Sequence, residues 1–107
     1  MPRFKRRAEN QQLFREVNER IAELSASLEE PGAPQSFVCE CGRVGCSEMI
    51  EVPLAVYARV RHDGDHYVVL RDHEDRAHEQ MLEDHGAFLI VRTLASEPRL
   101  AAPVAEL

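Results

Sequence analysis

The sequence predicts an α+β fold: a long N-terminal amphipathic helix, then a small, mostly antiparallel β-sheet domain with a cysteine knuckle and one short helix. Three observations predict it. Apolar residues recur at a helical period near the start of the chain. Short β-branched runs separated by turn residues fill the second half. All the cysteines, Cys39, Cys41 and Cys46, fall in one short stretch, "CECGRVGC". A chain of 107 residues corresponds to one domain with tails. Its 44% hydrophobic and 30% charged residues are a folded rather than a disordered composition. The expected division is a basic arm and helix over 1–30, a linker over 31–36, the knuckle-bearing domain over 37–94 and a flexible tail over 95–107.

The helix is expected from about Ala8 to Leu28. Phe14, Val17, Ile21, Leu24 and Leu28 are spaced 3, 4, 3, 4, which makes a narrow apolar seam. Glu16 and Arg20 add a favourably oriented i, i+4 pair. The seam is expected to bury against the sheet domain or against a symmetry mate. Pro31-Gly32 ends the helix. Arg3, Lys5, Arg6 and Arg7 form the basic arm in front of it, read as a solvated tail.

"SFVCE" and "EMIEV" read as short strands on either side of the cysteine loop. Pro53 suits the first position of a short helix over 54–61, with Leu54 and Tyr57 inward. "HDGD" is a turn and "HYVVL" a buried strand. "RDHEDRAH" is a charged loop. "EQMLED" and "AFLIVRT" form a hairpin with Gly86 at its turn. The cysteine-bearing segment, "HYVVL" and the hairpin are expected to share one sheet.

The cysteines carry the chemistry. No membrane-length apolar run and no secretory signal pattern are present, so the expected location is the cytoplasm. In a reducing compartment clustered thiols point to metal or redox chemistry rather than disulfides. In an extended segment residues i and i+2 share a side, so Cys39 and Cys41 can offer two sulfurs to one ion. "GRVG" then reverses the chain to bring in Cys46, because Gly42 and Gly45 permit backbone angles that other residues avoid. Amides of that loop can donate to the sulfurs. Glu40, between the two cysteines, points to the opposite face. A fourth ligand is needed, and histidine is the natural candidate. His73, just after "HYVVL", is preferred and His78 is second; His62, His66 and His85 sit at a helix end, a strand start and a turn. Three thiolates and one imidazole are an ordinary set for one structural Zn2+ per chain. An iron–sulfur cluster is the other metal considered.

Two resemblances follow from these residues. "CECGRVGC" resembles the post-SET zinc motif, in which three cysteines share a zinc with a fourth ligand from elsewhere in the chain. It implies a metal site, not methylation. The order of "LFREVNERI" helix, "FVCECGRVGCSEMIEV", "YARVR" helix, strand with following histidine and "FLIVRT" hairpin resembles a group of small uncharacterised actinobacterial proteins. In that group a Pro-Gly-His turn follows the strand; here Arg71 and Asp72 precede His73. The resemblance implies no activity.

The expected function is a small structural-zinc module for protein interaction or regulation through the N-terminal helix. Its partner is a second copy or another protein, bound by the Phe14/Val17/Ile21/Leu24/Leu28 seam. The alternative is a zinc–thiolate redox switch, in which oxidants release the metal and the local fold melts. A zinc hydrolase would need an open ligand position and a nearby base, and the deaminase signature, nucleophile elbow and phosphate loop are absent. A net charge of −6 and the lack of a basic recognition helix argue against a nucleic-acid-binding module.

Overall fold

The computed structural model of the chain describes residues 3–30 and 32–94. The architecture is α+β. Helix α1 (Arg3–Ala26) is followed by strands β1 (Pro34–Val38) and β2 (Met49–Pro53), helix α2 (Leu54–His62), and strands β3 (His66–Leu70), β4 (Glu79–Asp84) and β5 (Phe88–Thr93). The expected tail over 95–107 lies outside the described residues, as does Pro31. Among the described residues no helix is long and apolar enough to cross a membrane.

The strands form two antiparallel sheets rather than one. β1 pairs with β2, placing Phe37 opposite Ile50; the other sheet has the order β3-β5-β4. The division falls at the cysteines. After Cys39, whose N–H still donates to the Glu48 carbonyl at 2.8 Å, the chain leaves β2 to form the cysteine loop, and it touches β3 chiefly through Glu40. The Glu40 N–H donates to the Val68 carbonyl at 2.8 Å, and the Val68 N–H donates to Glu40 Oε1 at 2.9 Å. A continuous sheet would have directed Cys39 and Cys41 into a ladder instead of around a shared point.

The core lies between the two sheets and α2. Phe37 stacks on Tyr57, with ring centroids 4.4 Å apart. Val52, Leu54 and Val60 join Val68, Val69 and the run Phe88–Val91 around this pair. Pro53 is the cap residue that ends β2 rather than the first helical residue: its ψ of 139° is still extended, and α2 starts at Leu54. Leu54 and Tyr57 point inward.

Helix α1 departs from the expectation in two ways. It begins at Arg3, so the basic residues before Ala8 form its first turns and not a separate arm. It also docks through a polar stripe. Gln11, Arg15 and Asn18 are buried with Ala22, at spacings of 4, 3 and 4, whereas Val17 and Leu24 of the apolar seam are 40% and 65% exposed. Phe14 and Ile21 lie half-buried at the border between the two stripes. Leu28 belongs to the turn that follows the helix and is 80% exposed.

The physical reason is hydrogen bonding. The surface beneath α1 is a set of strand ends and turns whose backbone groups need partners, and polar side chains supply them. Arg15 donates to the carbonyls of Arg61 and His66, both at 2.7 Å. The first of these lies in the last turn of α2, where carbonyls have no intrahelical partner. The Asn18 amide pairs in both directions with the backbone of Val38, Nδ2 to the carbonyl and Oδ1 from the N–H, each at 2.8 Å. Gln11 reaches the buried carboxylate of Glu79 at 2.6 Å.

Candidate metal centre

Four side chains from two segments converge beside the N-terminal half of α1. Cys39 and Cys41 leave the end of β1, Cys46 comes from the far side of the Gly42–Gly45 loop, and His73 lies in the turn after β3. One ligand atom from each falls within 4.8 Å of all the others. Nδ1 of His73 lies 3.6 Å from the sulfurs of both Cys39 and Cys46. A tetrahedral ion with bonds of about 2.3 Å to sulfur and 2.0–2.1 Å to nitrogen has sulfur-to-nitrogen edges of about 3.6 Å. The donors therefore stand at the separations of a shared coordination shell, and the residues fit a metal ion.

The backbone explains the convergence. Gly42 and Gly45 have φ of 77° and 86°, the left-handed region, and turn the chain back. The Cys46 N–H closes the turn on the Arg43 carbonyl at 3.1 Å. Gly42 is required for a second reason: a Cβ there would lie 2.4 Å from the Arg7 carbonyl oxygen, so α1 packs directly on the loop. On the opposite side Asp72 takes φ of 74°, and the His73 N–H donates to the Leu70 carbonyl at 2.9 Å. An aspartate tolerates the left-handed region better than most residues, and the turn delivers His73 to the sulfurs.

The sulfurs receive backbone support. The Leu70 N–H donates to Cys39 at 3.3 Å and the Arg43 N–H to Cys41 at 3.5 Å. Three thiols this close cannot ionise independently. The Cys41 thiol is drawn down to about 4, first by its hydrogen bond with Cys39 and further by the Arg43 amide. That same contact, together with burial, pushes Cys39 up. Cys46 is raised chiefly by burial. A cation at the centre would remove this conflict, because it would favour the thiolate form at each sulfur.

Helix α1 braces both halves of the site. Arg7 donates to the His73 carbonyl at 3.2 Å, and Asn10 donates to the Gly42 carbonyl at 3.2 Å. Arg7 also faces Asp75 at 3.7 Å.

Glu40 points away from the sulfurs into the protein and is fully buried. Its Oε2 accepts from Tyr57 Oη at 2.5 Å and from Asn18 Nδ2 at 2.8 Å. Burial raises its pKa, and these donors partly offset that. The Tyr57 hydroxyl is raised in turn, by its own burial and then by the Glu40 charge. One residue between two ligand cysteines thus joins α1, α2 and β3.

The remaining histidines lie elsewhere. His78 pairs with Asp75 at 2.8 Å and is not among the four converging residues. His62 is on the surface, His66 faces Asp63 and Asp65, and His85 stacks on Phe88 and meets Glu83 at 2.8 Å. Sequence reasoning did not anticipate the buried roles of Gln11, Arg15, Asn18 and Glu79. The three on α1 recur at the same period as the apolar seam, which was the available signal; Glu79, at the start of β4, gave none.

No protein-family model, curated protein or solved structure matches the chain.

Proposed function

We propose that the chain is a small structural-zinc protein that serves as an interaction or regulatory module through its N-terminal helix. The observation that carries this reading is the Cys39, Cys41, Cys46 and His73 set, with sulfur-to-nitrogen separations suited to a tetrahedral ion. Four protein ligands complete the shell of a structural zinc and leave no position for a reactive water. Three thiolates with one imidazole favour zinc over oxygen-preferring cations. An interaction role is supported by α1, which Arg7 and Asn10 tie to the His73 turn and the cysteine loop and which leaves Val17 and Leu24 of its apolar seam exposed.

The test has two parts. Elemental analysis of protein purified without added metal gives about one zinc per chain if the reading is right. Iron with visible absorbance replaces zinc by a cluster. Amide exchange over residues 37–93 is then compared with and without a strong chelator. Structural zinc predicts loss of protection across the sheets when the metal leaves, because an assembled site rarely exists in the unfolded chain and metal binding is therefore coupled to folding. Unchanged protection in demonstrably zinc-free protein refutes a structural role.

A redox-switch reading has one specific support. Cys39 and Cys41 are buried, but Cys46 is only half-buried and gives an oxidant one accessible ligand. Zinc release by peroxide, followed with a chromogenic chelator and reversed by thiol reductant, tests it.

A further inference from the structure

The register of the first hairpin runs on toward the cysteines. β1 and β2 pair from Pro34 opposite Pro53 to Val38 opposite Met49. The Cys39 N–H donates to the Glu48 carbonyl at 2.8 Å, which adds one more matched position before the arms part. Two positions further, the same register sets Cys41 opposite Cys46. The turn that joins them is already in place, closed by the Cys46 N–H on the Arg43 carbonyl at 3.1 Å.

This register decides which thiols can be joined. A disulfide spans Cα atoms about 4.4–6.8 Å apart. Opposite positions of an antiparallel ladder stand about 4.5–5.5 Å apart. Diagonal positions, as Cys46 is to Cys39, stand about 7–8 Å apart. Cys39 and Cys41 lie two residues apart on an extended segment, about 6.6 Å, at the far limit. Their union would also pull on Glu40, whose carboxylate is held by Asn18, Tyr57 and Val68. Anchoring points the same way. The Leu70 N–H holds the Cys39 sulfur to β3 at 3.3 Å, whereas the Cys41 sulfur accepts from the Arg43 N–H at 3.5 Å, inside the loop that carries Cys46. Of the three cysteines only Cys46 is not buried, so an oxidant meets it first.

We infer that the cluster is a hydroperoxide-responsive site in which Cys46 is oxidised first and Cys41 resolves it as a disulfide, leaving Cys39 a free thiol. This rests on the redox reading of the site above and names its reactive pair. The Cys46 thiolate attacks the terminal oxygen of the hydroperoxide, the O–O bond breaks, and the alkoxide or hydroxide leaves and takes up a proton. Cys46 is then a sulfenic acid. The Cys41 thiolate attacks its sulfur, the S–O bond breaks, and the departing hydroxide takes up a proton to give water. Two electrons pass from the two sulfurs to the peroxide. Cys39 and His73 remain, too few to complete a four-coordinate shell. The new bond closes the Gly42–Gly45 loop in the register of β1 and β2.

The experiment treats the full chain, as purified with its metal, with a small excess of hydrogen peroxide. Thiols are blocked before and after reduction with two alkylating reagents of different mass. Cleavage after Arg43 separates Cys46 from the other two cysteines, and peptide fragmentation tells Cys39 from Cys41. Zinc release is followed in parallel with a chromogenic chelator. The Cys41–Cys46 linkage should exceed both linkages to Cys39 by about tenfold or more, because an ill-placed disulfide stores strain. Zinc release should rise with that linkage, and a thiol reductant should reverse both. Cys39→Ser should still form the bond. Cys41→Ser should instead accumulate a Cys46 sulfenic acid that a dimedone probe traps.

A disulfide that forms mainly through Cys39 overturns the inference and leaves the redox reading standing, provided that zinc is released with it. Peroxide that yields neither disulfide nor free zinc overturns both. If the chain as purified holds no metal, the structural-zinc reading fails, and the same mapping on the reduced chain still decides the pair.

Discussion

Replacing Asn18 with alanine should destabilise the monomer far more than replacing the larger, apolar Leu24. Asn18 is fully buried and its amide holds three groups: the Val38 N–H, the Val38 carbonyl and Oε2 of Glu40. Alanine leaves all three without that partner. A hydrogen bond to a charged group is worth about 1.5–3 kcal/mol, and a neutral backbone group that water can partly reach costs about 1 kcal/mol when stranded. Helix propensity acts the other way by roughly 0.5 kcal/mol, because alanine is the better helix former. The net loss is about 3–5 kcal/mol, a large part of the roughly 5–15 kcal/mol that holds a domain together. Leu24 is 65% exposed, so Leu24→Ala should change monomer stability by no more than about 0.5 kcal/mol.

The assay is urea unfolding followed by far-ultraviolet circular dichroism, since the chain has no tryptophan to report fluorescence. Zinc is held at a fixed small excess and the chain kept dilute, so that neither metal loss nor self-association contributes. With a slope of roughly 2 kcal/mol per molar urea, Asn18→Ala should lower the midpoint by about 2 M. A midpoint within experimental error of wild type for Asn18→Ala, or a larger loss for Leu24→Ala, would show that α1 docks through its apolar seam and that the polar stripe is incidental.

Three further outcomes are expected. His73→Ala should weaken zinc retention against a chromogenic chelator and lower the melting temperature, whereas His78→Ala, at a side chain paired with Asp75, should leave zinc retention unchanged; equal effects would place the fourth ligand elsewhere. Gly45→Ala meets open space and should cost about 1–2 kcal/mol for its left-handed backbone. Gly42→Ala adds a collision with the Arg7 carbonyl and should cost more, with weaker zinc binding because the loop must shift; thermal melts and chelator competition on the two variants check the order. Tyr57→Phe removes the hydroxyl that donates to Glu40 and should cost about 1.5–3 kcal/mol in the same urea assay.

The order and type of the elements were legible because each rests on local signals. β-branched runs, turn residues and a proline before α2 act over a few positions, and so does the glycine-flanked reversal that brings Cys46 back. His73 was legible for a topological reason: a turn leaving the end of β3 returns past the cysteine loop. The docking face of α1 was not. Two stripes of the same period run along that helix, one apolar and one polar, and hydrophobic patterning selects the apolar one. The choice depends on what lies beneath, and a surface of unpaired carbonyls favours arginine and asparagine over leucine. The single sheet failed for a related reason. Strand propensity reads Cys39 and Cys41 as a continuation of β1, but backbone support for two sulfurs and the close approach of α1 at Gly42 require the chain to leave its ladder.

Glu40 ties these departures together. Alternation along "CEC" aims two sulfurs one way and one carboxylate the other, so whatever fixes the sulfurs also fixes the carboxylate. That carboxylate meets Asn18 of α1, Tyr57 of α2 and the amide of Val68 in β3. A metal ion held on one face of this short segment would therefore stiffen the anchor of three elements on the other. If the ion leaves, Cys39 and Cys41 lose their common restraint, and the buried carboxylate remains costly wherever its donors no longer reach it. The helix would then loosen first along Asn10, Arg7 and Asn18, the side chains that tie it to the cysteine segment and the His73 turn, while Arg15 still holds it to the end of α2. Occupancy of the site would then reach α1 through Glu40 as well as through Arg7 and Asn10, and Glu40→Gln should weaken that link: amide exchange in α1 should respond less to chelator in that variant than in wild type, and an undiminished response would place the coupling in the Arg7 and Asn10 contacts alone.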